Sequence, residues 1–275
     1  MWTRNGGKTL PAVLKRIDEV VPSEVVNSRI LVDDHSADDT RKIARSFGWD
    51  VIFNEGTGVN LGAKTALKHV KSQYFISFEQ DLLLAEDWWT RVPPLLEQGN
   101  VAVASGVRIA DSPLSLNRLQ DYANENYRKK TSENPMFPPG KTFDNTIYKT
   151  GIIRRIKGFP ELLVEGLTKL GYIWAVNFDV KSIHLREGLL NEIRHQYWYG
   201  TLLDEYWQPS GLVNSWMRGT VKVILSPIRG IQISYKQRCW GISYLYPSLR
   251  LASYLGWLRG VERISRTKRK VVGHI

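Results

Sequence analysis

The amino-acid sequence predicts an α/β fold, in which a mostly parallel, Rossmann-like sheet is covered by helices and followed by amphipathic helices at the C-terminus. Short apolar runs alternate with helix-period segments from Leu10 to Asp81, which is typical of βαβ units. Two of the apolar runs end in acids, as strands of a parallel sheet do where they reach solvent. The net charge of +11 lies in the C-terminal part of the chain.

Hydrophobic spacing predicts each element in turn. Leu10, Leu14, Ile17 and Val21 share one face of a helix. The run 29–34 then predicts a buried strand, and a helix follows it. Further strands are predicted at 51–53, 74–78 and 101–107, and a further helix after Gly58. Residues 124–142 mix charges, prolines and aromatics, which predicts a long mobile loop over a site.

Composition excludes several classes of protein. One cysteine, Cys239, rules out an internal disulfide scaffold and a zinc finger. The N-terminal residues show no apolar segment of a signal peptide, so we expect a cytoplasmic protein. Twelve basic residues and one acid lie from Trp216 onward and account for the whole net charge. This split indicates a neutral body with a basic C-terminal attachment, and argues against a general nucleic-acid binder.

Acidic side chains end two of the predicted strands, Asp33 and Asp34 after the first and Glu79 and Asp81 after the later one. Ligands of parallel α/β sheets bind beyond the carboxyl ends of the strands, so these acids are candidate binding residues. Asp34 is equally compatible with a structural cap. For Asp38 and Asp39 we favour capping, because helix N-termini attract carboxylates.

Several segments carry a resemblance to a known family. They are Thr3-Arg-Asn-Gly-Gly-Lys-Thr-Leu, Ile30-Leu-Val-Asp-Asp-His-Ser-Ala-Asp-Asp-Thr, Gly62-Ala-Lys-Thr-Ala-Leu, Phe78-Glu-Gln-Asp, Asp144-Asn, Lys157-Gly-Phe-Pro-Glu, His184 and Arg194-His-Gln-Tyr-Trp-Tyr-Gly. Over about residues 1–200 the chain resembles family 2 glycosyltransferases of the GT-A fold, including membrane-associated archaeal and bacterial members. The resemblance implies inverting transfer of a sugar from a UDP- or GDP-sugar.

The resemblance also implies roles for particular residues. Asp34 would hydrogen-bond the nucleobase, and Glu79 and Asp81 would replace the family's Asp-x-Asp, with His184 as a further contact to Mg²⁺ or Mn²⁺. A divalent metal on such oxygen ligands would stabilise the departing diphosphate. The full set expected to bind the nucleotide-sugar is Thr3, Arg4, Asn5, Asp34, Lys64, Glu79 and Gln80.

The catalytic base implied by the resemblance is an acid before a helix. The family's Glu-Asp pair is not intact in this chain, where the segment reads Gly158-Phe-Pro-Glu-Leu-Leu-Val-Glu-Gly166. Glu165 is favoured narrowly because it precedes Gly166 and a helix-like stretch, and Glu161 is the alternative base or a simple cap.

The domain organisation expected is a nucleotide-sugar-binding half over 1–110, an acceptor-binding half over 111–200 and a basic amphipathic region over 201–275. Within that region one apolar helix face is predicted from Leu245, Leu249, Ala252 and Leu255, with interfacial aromatics at Trp240, Tyr244, Tyr246, Tyr254 and Trp257. These features favour an anionic membrane at the inner face of the cell membrane over packing on the body or a homodimer contact. No uncharged run is long enough to span a bilayer.

The leading hypothesis is therefore an inverting glycosyltransferase acting on a lipid-linked or membrane-presented glycan. One alternative is a nucleotidyltransferase, for which Gly6-Gly7-Lys8 is a poor match to the expected signature. The other is an inactive sugar-nucleotide or nucleic-acid binding module. Basic residues interleaved with Leu and Ile favour lipid over a phosphodiester backbone, so we expect no nucleic-acid partner.

Overall fold

The computed structural model describes residues 1–111, 113–133, 144–185, 188–201 and 212–272, with side chains left out at 212 and over 263–272. The chain divides into two compact units. The first, called here the sheet unit, comprises 1–109 and 124–185, and the second, the helical unit, comprises 110–123 and 186–275.

The strands and helices of the described residues follow the chain in this order: β1 (Trp2–Thr3), α1 (Leu10–Val20), β2 (Ile30–Asp33), α2 (Thr40–Ser46), β3 (Asp50–Phe53), α3 (Val59–His69), β4 (Tyr74–Ser77), β5 (Leu82–Leu83), α4 (Trp88–Arg91), β6 (Val101–Ala110), α5 (Leu114–Glu133), β7 (Thr146–Lys149), α6 (Thr150–Ile153), α7 (Leu163–Lys169), β8 (Ile173–His184), α8 (Gly188–Thr201), α9 (Leu212–Gln237) and α10 (Gly241–Val272). Short 3₁₀ turns lie at Ser23–Val25 and Pro93–Glu97.

The sheet unit begins with a parallel sheet of order β1-β2-β3. The predicted α/β class is confirmed, because strand and helix alternate through this sheet as the apolar spacing indicates. Leu10, Leu14 and Ile17 are buried as one face of α1, and β2 buries Leu31 and Val32. The carboxyl end of β2 therefore delivers Asp33 and Asp34 to the edge of the sheet.

A second sheet of the same unit has the order β4-β7-β6-β8-β5 in the described residues. Strand β7 pairs antiparallel with both β4 and β6, and β5 pairs antiparallel with β8. The registers place Leu82 opposite His184 and Ser77 opposite Thr146. This pairing brings the segment between β4 and β5 beside the end of β8 and the start of β7.

The loop predicted over 124–142 is wrong in its first part, because residues 124–133 continue helix α5. Charged residues with good helix propensity fill this stretch, and the side chains of Tyr127 and Arg128 contact the Phe178 ring. Arg128 also pairs with Asp179, whose pKa is held below its ordinary value by that hydrogen bond. Residues 134–143 lie outside the described part of the chain.

The helical unit is built on α8, α9 and α10 together with the first part of α5. Helices α8 and α10 approach so closely that a Cβ on Gly200 would lie 2.0 Å from the Ser253 carbonyl oxygen. A Cβ on Gly256 would likewise lie 1.9 Å from the carbonyl oxygen of Tyr197. Glycine at these two positions therefore permits the backbones to touch.

The apolar face predicted for α10 is wrong as a free surface at two of its four residues, whereas Leu255 and the aromatics Trp240 and Tyr244 are exposed. Leu245 and Ala252 are buried, and Leu245 packs with Leu116 of α5 in a small apolar cluster. Two of the predicted interfacial aromatics, Tyr254 and Trp257, are also buried and stack on each other. Spacing alone could not reveal this, because a helix face that packs on its own unit has the same periodicity as one that binds lipid.

Candidate active site

Three metal-ligand side chains meet in the sheet unit. Glu79 and Asp81 lie between β4 and β5, and His184 is the last residue of β8, which pairs with β5. The imidazole Nε2 of His184 lies 3.2 Å from Asp81 Oδ2 and 3.6 Å from Glu79 Oε2. One ligand atom from each of the three lies within 4.8 Å of the others. The strand pairing thus assembles the group that the sequence predicted.

The chemistry of this group fits a divalent cation. Carboxylate oxygens are preferred by Mg²⁺ and Mn²⁺, and imidazole suits transition metals. His184 is buried, while the two acids are partly exposed, so the group opens toward solvent on its acidic side. The geometry of the group is consistent with the expected Mg²⁺ or Mn²⁺ cofactor, and the assignment of these three residues as its ligands stays a prediction.

Arg108 and Asp144 adjoin this group and were missed as site residues by the sequence reasoning. The Arg108 guanidinium donates to Asp144 Oδ2 at 3.0 Å and lies 3.6 Å from Glu79 Oε2. Asp144 is buried, at 2 % exposure. The sequence did carry a signal that Arg108 has a functional or structural partner, because it is the one cation in the apolar ten-residue strand β6. Charged residues are rarely placed in such strands without a partner.

The segment that carries Asp144 is fixed by its neighbour. Asn145 accepts a hydrogen bond from the Gly106 amide at 2.9 Å, and its carbonyl accepts one from the Trp88 indole at 2.9 Å. Both Asn145 and Trp88 are buried. Burial also raises the pKa of the nearby Tyr148, which keeps that phenol neutral beside the acids. Asp144 therefore lies on a buried, hydrogen-bonded segment.

Gln80 occupies the position between the two acids and faces the end of β1. Its side-chain oxygen Oε1 accepts hydrogen bonds from the Thr3 hydroxyl and from the Arg4 backbone amide, the latter at 2.9 Å. Its side-chain nitrogen Nε2 donates to the Arg4 backbone carbonyl at 3.2 Å, and the Thr9 hydroxyl donates to the backbone carbonyl of Gln80 at 2.8 Å. Gln80 and Thr3 thus tie the acidic segment to the end of the parallel sheet.

Asp34 is buried at the carboxyl end of β2, with 1 % exposure. Its Oδ1 accepts from the Asn54 side chain at 2.8 Å, and the Gly58 amide lies 3.1 Å from its Oδ2. Gly58 has a φ of 91°, a conformation that favours glycine. The Arg4 guanidinium stands 3.9 Å from Asp34 Oδ2. The structure therefore brings Arg4 and Asp34 together, as expected of two residues at one binding edge.

Asn5 organises the loop after β2. Its side-chain oxygen accepts a hydrogen bond from the Ala37 backbone amide at 2.9 Å, and its backbone amide donates one to Ser36 Oγ at 2.9 Å. The next acid, Asp38, accepts from the Gly7 amide at 2.9 Å and from the Thr40 amide at 3.1 Å. Desolvation opposes ionisation of this exposed carboxyl group, but the Thr40 hydroxyl and these amides together hold the pKa of Asp38 below its ordinary value.

The two candidate bases lie in different surroundings. Glu161 accepts a hydrogen bond from Lys64 Nζ at 2.8 Å, so two residues that the sequence placed in separate roles are in contact. Glu165 lies in the first turn of α7 and pairs with Lys169 of the same helix at 2.6 Å. Both carboxylates are accessible to solvent.

A match to a family model shows which protein family the chain belongs to. Residues 1–157 match the model described as Glycosyl transferase family 2. The chain belongs to this family. The predicted family and enzyme class are thereby confirmed, and the match favours a glycosyltransferase over the nucleotidyltransferase and binding-module alternatives. The comparison with curated proteins gives no match.

Solved structures of glycosyltransferases share the fold of this family 2 member. The mannosyltransferase PcManGT from Pyrobaculum calidifontis, in complex with GDP-Man and Mn²⁺, is 14% identical, with a TM-score of 0.61 over 94% of this chain and 85% of that chain. Glucosyl-3-phosphoglycerate synthase from Mycobacterium tuberculosis, in complex with Mn²⁺, UDP-Glc and phosphoglyceric acid, is 18% identical, with a TM-score of 0.51 over 70% and 72%. At these identities the likeness establishes the GT-A fold.

Proposed function

We propose that this family 2 glycosyltransferase moves a sugar from a UDP- or GDP-sugar to an acceptor hydroxyl with inversion, using a divalent metal at Glu79, Asp81 and His184. The observation that carries the proposal is the convergence of these three side chains from the segment between β4 and β5 and from the end of β8. The GDP-Man and UDP-Glc complexes of the similar structures, both with Mn²⁺, support a donor of this class.

The donor base is proposed to bind at Asp34. A carboxylate offers about four acceptor positions, so Asp34 can accept a further hydrogen bond beyond those from Asn54 and Gly58. The partners of Asp34 fix its orientation, which reduces the ordering cost when a nucleobase binds. Thr3, Arg4, Asn5, Lys64 and Gln80 would border the nucleotide, with Thr3, Asn5 and Gln80 acting chiefly by holding the loops in place.

The diphosphate is proposed to lie against the acidic group. When bound there, Mg²⁺ or Mn²⁺ would neutralise the charge that develops on the leaving diphosphate. Arg108 lies 3.6 Å from Glu79 Oε2 and keeps a positive charge beside the group. His184 is fixed by its burial in the sheet, so its Nε2 stays directed toward the two carboxylates.

The acceptor hydroxyl would attack the anomeric carbon in line and lose its proton to a carboxylate. Of the two candidates, Glu161 contacts Lys64, a residue expected near the nucleotide, whereas the described ion pair of Glu165 stays within α7. The Lys64 contact favours Glu161 as the base. The proposal retains 1–110 as the donor-binding half and 111–200 as the acceptor-binding half.

The acceptor is proposed to be a lipid-linked or membrane-presented glycan, reached by an enzyme held peripherally at the inner face of the cell membrane. The surplus of cations from Trp216 onward supports attraction to anionic lipid. None of the helices in the described part of the chain combines the length and the apolar character needed to cross a bilayer.

Metal-dependent donor binding tests the proposal. Asp81→Asn should abolish the part of UDP- or GDP-sugar affinity that depends on Mn²⁺, because one charged ligand is lost. Isothermal titration with and without Mn²⁺ measures it, and Glu86→Gln, which neutralises an exposed acid outside the group, is the matched control. Equal Mn²⁺ dependence in Asp81→Asn and Glu86→Gln would refute the metal site.

A further inference from the structure

Helix α9 of the helical unit exposes large apolar side chains and buries small residues, the reverse of the usual pattern of a helix in water. The helix has 26 residues, and most of its large apolar side chains are exposed to solvent. Those on the outward face are Val213, Met217, Val221, Ile224, Ile228, Ile231 and Tyr235, spaced by three or four residues. Such spacing keeps them on a single stripe, which runs about 35 Å along the helix.

The exposure of this stripe is high. The side chains of Val213, Ile224 and Tyr235 are 70%, 67% and 79% exposed. Trp216 and Leu225 lie beside the stripe and are also exposed. Single apolar residues at a surface are ordinary, but a contiguous apolar stripe of this length marks an interaction surface.

The inward face of α9 is made mainly of small residues. Ser215, Gly219, Ser226, Gly230 and Ser234 are buried, together with Ile233. A Cβ on Gly230 would lie 3.1 Å from the Ser243 carbonyl oxygen of α10, so the two helices approach closely there. Small residues at helix contacts with large apolar residues outside are typical of helices packed in lipid. The small residues on the inner face of α9 therefore support a contact between its outer apolar face and lipid.

Cations flank the stripe on one side. These cations recur every four or seven residues along one flank of the helix and are Arg218, Lys222, Arg229 and Lys236. The segment 212–237 contains no acid. In a two-fold contact the same patch would meet itself, which would bring like charges together. Anionic headgroups complement the cations while the apolar side chains enter the interface.

We propose that the outward face of α9, from Val213 to Tyr235, is the surface by which the enzyme lies on an anionic lipid membrane. This inference rests on the membrane association included in the proposed function, and it assigns that association to α9 instead of the α10 face around Leu245. The helix would lie in the plane of the interface, with its small-residue face toward its own unit.

Vesicle co-sedimentation of the full chain tests the assignment. The test variant is Ile224→Gln with Ile228→Gln, and the matched control is Val25→Gln with Leu162→Gln, which removes two exposed apolar side chains from the sheet unit. On vesicles of phosphatidylcholine and phosphatidylglycerol, the test variant should bind at least about tenfold more weakly than the wild type, because apolar burial is lost. The control variant should bind as the wild type does.

A site-specific label gives a second readout that does not depend on affinity. Cys239 is the single cysteine, so a Cys239→Ser chain accepts an environment-sensitive fluorophore at Ile228→Cys or at Val25→Cys. Vesicles should shift the emission to shorter wavelength at position 228 and leave it unchanged at position 25. The same vesicles in high salt should weaken binding without abolishing it, because salt screens only the charged part.

The outcomes separate the two proposals. If the wild type does not bind anionic vesicles at all, the membrane part of the proposed function is refuted and this assignment with it. If the wild type binds but the α9 variant binds equally and the label at 228 does not shift, only the assignment to α9 is refuted. If the α9 variant converts a dimer into a monomer by light scattering without changing vesicle binding, the stripe is a contact between two copies.

Discussion

The edge of the sheet unit and helix α9 of the helical unit break the ordinary rule of burial in opposite directions. At the sheet edge, polar groups that usually face water are buried: Asp34, Asp144 and His184 are each 2% exposed or less. On α9, apolar groups that usually face the core are more than half exposed. Both departures cost free energy in an isolated chain, and a binding partner can offset each of them.

The two departures differ in how the protein compensates them internally. The buried acids accept hydrogen bonds from protein groups, Asp34 from Asn54 and Gly58 and Asp144 from Arg108. Their orientation is therefore fixed before any ligand binds. The stripe on α9 is exposed along its length. The buried acids thus indicate a binding site through their hydrogen-bond partners, whereas the α9 stripe indicates one through its exposed apolar area.

The largest effect is expected at the sheet unit from the catalytic base. Glu161→Gln should lower kcat by about 10²–10⁴ with donor affinity nearly unchanged, because the amide keeps the shape but cannot take a proton. Steady-state kinetics of sugar transfer, together with donor titration, measure the two quantities separately.

The matched control for the base is Glu165→Gln, which removes an exposed carboxylate only four residues away. It should leave kcat within a few-fold of the wild type. The opposite result, a large loss in Glu165→Gln and none in Glu161→Gln, would return the role of base to Glu165.

A smaller effect is expected from the nucleobase contact. Asp34→Ala should weaken UDP or GDP and the corresponding free nucleoside alike, by about 1.5–3 kcal/mol, because one hydrogen bond to a charged group is lost. Titration of the nucleoside and of the nucleoside diphosphate measures both. A loss confined to the diphosphate would show that Asp34 does not contact the base.

Asp34 also needs a control because it supports the local structure. Asn54→Ala removes the side chain that orients Asp34 while leaving the carboxylate in place. It should weaken nucleoside binding less than Asp34→Ala does. If the two variants weaken binding equally, Asp34 acts only through the loop that it holds.

Much of the sheet unit could be predicted from the sequence because its signals are local. The apolar run before Asp33 and the acids around Gln80 each lie within a few residues, and parallel pairing then places strand ends together. His184 was placed by resemblance alone, since a lone histidine has no local signal. Arg108 and Asp144 could not be paired from the sequence, because strands β6 and β7 bring them together across a long separation.

The helical unit was predicted less well because periodicity does not say which way a face points. Leu245 and Ala252 have the spacing of an amphipathic helix, and the structure turns them inward. Val213 to Tyr235 have the same kind of spacing and face outward. The distinguishing signal was present on the opposite side of α9, where Ser215, Gly219, Ser226, Gly230 and Ser234 leave room for close helix packing.

The smallest effect is expected where the helical unit depends on close packing. Gly200→Ala places a methyl group 2.0 Å from the Ser253 carbonyl oxygen, so α8 and α10 must separate. The free energy of unfolding should fall by about 1–3 kcal/mol, the usual cost of overpacking a tight contact. Chemical unfolding followed by circular dichroism measures it.

The matched control for the packing prediction is Gly151→Ala, a helical glycine in α6 of the sheet unit whose added methyl group would meet no atom within 4 Å. There alanine should raise stability by about 0.5–1 kcal/mol, because it restricts the unfolded chain and favours the helix. Donor titration of Gly200→Ala sharpens the contrast, since the donor-binding residues all belong to the sheet unit and their affinity should be preserved. Equal stabilisation by both substitutions would mean that α8 and α10 do not meet backbone to backbone, and the small-residue packing of the helical unit would lose its support.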